Sequence, residues 1–72
     1  MNKPAMIPSK SSQIESIGHD PETNTAHVKF RSGGHYSYAG VDAAKFAQFQ
    51  AAPSHGSFFH REIKPHHPHT KH

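Results

Sequence analysis

Between residues 25 and 31 the chain alternates. Ala26, Val28 and Phe30 fall on one side of an extended backbone, and His27, Lys29 and Arg31 on the other. A period of two sustained over this stretch predicts a strand with one buried face. Ile14 and Ile17 mark a shorter strand before it, and the turn-forming run Gly18-His19-Asp20-Pro21-Glu22-Thr23-Asn24 joins the two as a hairpin. Ser32-Gly33-Gly34 supplies the positive φ that a tight reversal needs, and His35-Tyr36-Ser37-Tyr38-Ala39 follows as a third strand. The expectation is an antiparallel three-stranded meander.

After Gly40 the period changes to nearly four. Ala43, Phe46, Ala47 and then Phe49 or Gln50 share one side of a helix that runs to about Ala52, where Pro53 ends it. Asp42 is placed as its N-cap, with Val41 positioned to staple onto Phe46. A second, short helix begins at Ser54 as N-cap and carries Phe58, Phe59 and Ile63 until Lys64-Pro65 stops it. The fold class read from these elements is α+β, ordered β-β-β-α-α, with one main and one short helix packed on one face of the sheet. Ile14, Ile17, Ala26, Val28, Phe30, Phe46, Phe49, Phe58, Phe59 and Ile63 make the expected core. The sheet face left open is the expected working surface.

The flanks read differently. Residues 1–11, with Pro4 and Pro8 on either side of Met6 and Ile7, read as an extended, mobile arm. Residues 65–72, Pro-His-His-Pro-His-Thr-Lys-His, offer nothing apolar to bury and read as a disordered tail. The folded domain is then residues 12–64.

Size narrows the function. A chain of 72 residues and 8.0 kDa buries only about 60% of its unfolded surface, which argues against a deep catalytic cleft. Cysteine is absent, so disulfides, zinc ribbons and thiol chemistry are excluded and a reducing, cytoplasmic setting is expected. No apolar run approaches the roughly 18 residues of a membrane span. The pairs His60 with Glu62 and Ser57 with His60 lack any nucleophile or oxyanion context, and phosphate-loop glycine patterns are missing, so no enzyme is expected. His66, His67, His69 and His72 sit on a chain expected to be flexible and are not expected to form a specific metal site; no cofactor is expected either.

The formal charge is +3, and nine histidines would add about four or five charges near pH 6.5. Such a charge suits nucleic acid or an acidic protein surface.

The string Phe30-Arg31-Ser32-Gly33-Gly34-His35-Tyr36-Ser37-Tyr38, followed by Gly40-Val41 and by Ala52-Pro53-Ser54-His55-Gly56-Ser57-Phe58-Phe59, resembles the KTSC family, small domains that stand alone or end some lysyl-tRNA synthetases. The resemblance extends over roughly 11–63 and takes in Ser12, Ile17-Gly18 and Asp20. It implies a compact α+β domain with a Tyr-x-Tyr centre, a role in RNA binding and no catalysis. A narrower likeness, to small phage-encoded regulators that bind host RNA polymerase near the N-terminus of its β′ subunit, implies a protein partner, inhibition of host transcription and readthrough of terminators. It assigns no residue.

Two readings of the Tyr pair stand open. A two-residue Gly33-Gly34 turn pairs Arg31 with Tyr36 and Lys29 with Tyr38 and sets the rings beside cations on the open face, ready to stack on bases. A three-residue Ser32-Gly33-Gly34 loop with Gly34 left-handed pairs Phe30 with Tyr36 and Val28 with Tyr38 and turns both rings into the core. The polarity of His35 and Ser37 favours the second. The expected partner surface comprises Met6, Ile7, Lys29, Arg31, His35, Tyr36 and Tyr38. The protein is expected to be monomeric, with bacterial RNA polymerase as partner and RNA as the alternative. The stripe of His27, Lys29 and Arg31 is either a contact for phosphates and acidic side chains or an ordinary solvated face. The arm either docks on a partner or lies along the first strand's edge.

Overall fold

The computed structural model describes residues 6–72. Its five strands are β1 (Ile7–Pro8), β2 (Ile14–Asp20), β3 (Thr25–Phe30), β4 (His35–Ala39) and β5 (His69–Lys71), antiparallel and ordered β1-β2-β3-β4-β5. The predicted meander is its centre. The two additional strands arise from the segments read as a mobile arm and a disordered tail, so the sheet has five strands rather than three.

Each addition has a physical cause. Ile7 pairs with Ile17 and packs against the core, while the Ser9 amide donates to the Glu15 carbonyl at 2.9 Å. At the opposite edge β5 is exposed throughout, and it takes its order from backbone pairing with β4 and from histidine rings laid on that strand. Pro4 and the first residues of the arm lie outside the described residues.

The β3–β4 hairpin decides where the tyrosines point. Lys29 pairs with His35, Val28 with Tyr36 and Ala26 with Tyr38. The Gly33 amide donates to the Phe30 carbonyl at 2.9 Å, and the Phe30 amide to the Gly34 carbonyl at 2.8 Å. The loop is therefore three residues, Arg31-Ser32-Gly33, with Gly33 at φ +105°. It lies one residue earlier than the loop read from sequence, and each tyrosine pairs two residues earlier along β3, with Val28 and Ala26. The side-chain parity of the core reading is preserved, because a shift of two residues returns every side chain to the same face.

Helix α1 (Ala43–Ala51) crosses that face and buries Phe46 and Phe49. The Asp42 carboxylate accepts from the Lys45 amide at 2.8 Å, as an N-cap does. Asp42→Ala is expected to cost about 1 kcal/mol, read as a lowered urea midpoint with an unchanged slope. Helix α2 (His55–Phe58), capped by Ser54, continues as a π-helical segment over Phe59–Ile63. Together these elements bury Phe58, Phe59 and Ile63 against Ile14, Ile17, Ala26, Val28 and Tyr38.

Candidate functional site

The structure separates six of the predicted site residues into three places and sets Arg31 apart from them. Met6 and Ile7 lie at the β1 edge. Met6 is the exposed large hydrophobic residue among the described residues, and Ile7 is half-buried. Lys29 and His35 lie on the open sheet face, on strands β3 and β4. Tyr36 and Tyr38 point to the opposite, helix-covered face.

Arg31 falls in the hairpin loop and joins none of these groups directly. Its Nε donates to the Ser11 carbonyl at 2.8 Å and its Nη2 to the Ser9 carbonyl at 2.9 Å, so the guanidinium ties the segment after β1 to the hairpin. Behind it, the Ser9 hydroxyl lies 2.6 Å from His55 Nδ1, and His55 Nε2 lies 3.0 Å from the Gln50 carbonyl. Because that carbonyl only accepts, Nε2 carries the proton and Nδ1 accepts from Ser9. This pair, buried at Ser9, anchors the arm to the helical layer.

The open face is a histidine surface more than a basic one. His27 Nδ1 and His35 Nε2 stand 3.1 Å apart, so one donates and the other must accept through an unprotonated nitrogen. The His72 ring joins them, with centroids 4.9 Å from His35 and 5.9 Å from His27, and its Nε2 lies 2.8 Å from Ser37 Oγ. The His27 pKa is lowered, first by burial and then by His35 and His72, with His19 adding a little and Asp20 opposing. That of His35 is lowered by burial, His72 and Lys29. Both therefore favour the neutral form. Lys29 Nζ lies 3.4 Å from Glu15 Oε2, an exposed ion pair that cancels charge on the face while adding little stability.

On the helix-covered side an aromatic cavity of about 620 Å³ opens beside β4. Tyr38 is buried, edge-on to Phe59 at 5.1 Å, and burial, with Tyr36 adding to it, raises its pKa. Tyr36 is half-buried, edge-on to Phe30 at 5.6 Å, and the His69 ring lies 5.7 Å from each tyrosine. Among the described residues no group of three or more potential ligands is arranged to hold a metal ion.

Sequence reasoning missed Ser9, His55, His69 and His72 as members of these contacts. The tail's histidines were visible, but their partners lie 28 to 35 residues away in the cases of His67 with Ala39 and His72 with Ser37, a separation at which local patterning carries no signal.

An α+β unit of this size, with a five-stranded sheet, an aromatic cavity and a histidine face, defines a small single-layer-covered domain. The chain belongs to the KTSC domain family, whose model matches residues 10–67. It is similar to a KTSC domain protein of Yersinia pestis known from a crystal structure, at 36% identity and a TM-score of 0.92, covering 97% of this chain and 99% of that one. It is also 36% identical over 58 residues to a protein of Stutzerimonas stutzeri, covering 81% of this chain and 82% of that protein. A protein of Tsukamurella paurometabola is 37% identical over 60 residues, covering 83% and 90%. These findings support the family and not the narrower likeness to phage-encoded polymerase regulators. Among the described residues no helix is long and apolar enough to cross a membrane.

Proposed function

We propose that the protein is a non-enzymatic regulator that occupies bacterial RNA polymerase at the N-terminal region of its β′ subunit in the bacterial host cytoplasm, inhibiting initiation and promoting antitermination. The observation that favours a protein partner over RNA is how the cations are used. Lys29 is paired with Glu15, and Arg31 spends two of its donors on the Ser9 and Ser11 carbonyls. The continuous row that would have tracked a phosphate backbone along the open face is thus broken, with Lys29 neutralised by Glu15 and Arg31 turned off the face into the hairpin loop, whereas exposed Met6 on the short β1 edge is suited to an apolar contact.

Occupancy is a sufficient mechanism for a protein of this size. A standard interface takes about 800 Å² from each partner, roughly a sixth of the 4594 Å² that this chain exposes. Met6→Asp leaves the core untouched and is expected to weaken binding to purified polymerase by at least about tenfold, or roughly 1.4 kcal/mol. Unchanged affinity of the folded variant would remove the β1 edge from the interface.

A further inference from the structure

We infer that the aromatic cavity beside β4 binds one nucleotide unit, its base held among Phe30, Tyr36 and His69 and its phosphate directed to Arg31 and Lys64. This site is separate from the β1 edge and does not depend on the polymerase reading. Its volume of about 620 Å³ falls within the usual range for small-ligand sites, roughly 300–1,000 Å³.

The walls specify a planar apolar ring. Tyr38 and Phe59 are buried and form packed structure, but Phe30 and Tyr36 are only partly buried and keep ring surface toward the cavity, with the exposed His69 ring beside them. A base stacked there would gain contact of the kind that contributes about 1–3 kcal/mol in single-strand recognition. Gly34 helps to set this geometry: a Cβ at that position would lie 3.0 Å from Tyr36 Cε1, so the absence of a side chain lets the ring lie against the hairpin.

The rim specifies a negative charge. Arg31 and Lys64 line the cavity together with His60, which is hydrogen-bonded to Gln13, and with Ser12 and Ser32, and no aspartate or glutamate is among the lining residues. Arg31 has five N–H donors, of which two are used on the Ser9 and Ser11 carbonyls. Serine hydroxyls and the Gln13 amide offer neutral hydrogen bonds of the kind a ribose and a base edge accept. An aromatic amino acid would set its ammonium among these cations. A nucleotide matches both ring and charge.

The test is titration of the full chain with nucleoside 5′-monophosphates, the matching nucleosides, and short single-stranded RNAs with and without a 5′ phosphate, followed by amide NMR shifts. Shifts are expected at Tyr36, Ser32 and His69, with the nucleoside binding at least about tenfold more weakly than its monophosphate. Lys64→Gln, at an exposed position, is expected to reduce monophosphate affinity severalfold, and Tyr36→Leu to abolish the ring-current shifts. Equal binding of monophosphate and 5′-phosphorylated RNA identifies the nucleotide unit itself as the ligand; stronger binding of the RNA identifies a chain end. Absence of cavity shifts at millimolar monophosphate, or affinity unaffected by Lys64→Gln, overturns the proposal. Polymerase binding is measured separately, so its failure leaves this result intact.

Discussion

Phe49→Ala is expected to strip the protein of a large part of its stability at 25 °C. Phe49 is fully buried, stacked on Phe58 with centroids 5.5 Å apart and an interplanar angle of 14°, and edge-on to both Phe46 and His55. Truncating a buried phenylalanine costs about 3–5 kcal/mol in lost transfer energy and residual cavity. At about 0.05–0.15 kcal/mol per residue, a domain of this length has roughly 4–11 kcal/mol to lose, so the change removes between about a quarter and all of the stability. The cost is compounded by position, because this ring joins α1 to α2 and through His55 to Ser9. Urea unfolding followed by circular dichroism reads the result. A melting temperature within a few degrees of the parent would contradict this account of the core.

Acid is expected to weaken the sheet from its β4–β5 side. The pKa values of His27 and His35 are lowered, by burial first and then by neighbouring imidazoles and, for His35, Lys29, so the folded protein binds fewer protons than the unfolded chain in the interval below the ordinary imidazole value of about 6.5. Stability from these groups is therefore fully present above about pH 6.5 and is lost as pH falls through the interval. The groups facing the pair set the size of the effect: His72 just after β5, Lys29 from β3 and His19 from β2 oppose protonation, while Asp20 favours it.

Protonating both histidines also breaks the 3.1 Å ring contact, since neither nitrogen then accepts. Because β5 is wholly exposed, amide exchange is expected to accelerate there before it does in β2 and β3. His27→Asn with His35→Asn is expected to flatten the stability profile between pH 7 and pH 5. A double variant that retained the parent's pH dependence would place its origin elsewhere.

The strands and helices with a side-chain period were legible in the sequence. Ala26, Val28 and Phe30 revealed β3 because their burial repeats every second residue, and Phe46 and Phe49 revealed α1 together with its Asp42 cap. Strands β1 and β5 were illegible for a common reason: one is two residues long, the other buries no residue, and neither has a face for patterning to mark. Their order comes from an existing sheet edge that supplies hydrogen-bond partners.

The candidate surface was legible in composition and misplaced in geometry. Arg31 continues the alternation of β3 in sequence, yet the strand ends at Phe30 and the guanidinium turns to the Ser9 and Ser11 carbonyls. Adjacent glycines left the hairpin register ambiguous, and Gly33 rather than Gly34 takes the positive φ. Tyr36 and Tyr38 are on the core face, as the polarity of their neighbours His35 and Ser37 indicated. The open face, expected to carry the tyrosines or a basic stripe, carries a cluster of His27, His35 and His72 assembled from β3, β4 and the chain after β5.

The most direct measurement of partner class is the affinity of the full chain for purified bacterial RNA polymerase and for single-stranded RNA, each followed from low to high salt. A protein interface with an apolar centre predicts a stoichiometric polymerase complex that withstands nuclease and weakens only shallowly with salt. Affinity for RNA alone, falling steeply with salt as counterion release requires, would contradict the polymerase reading.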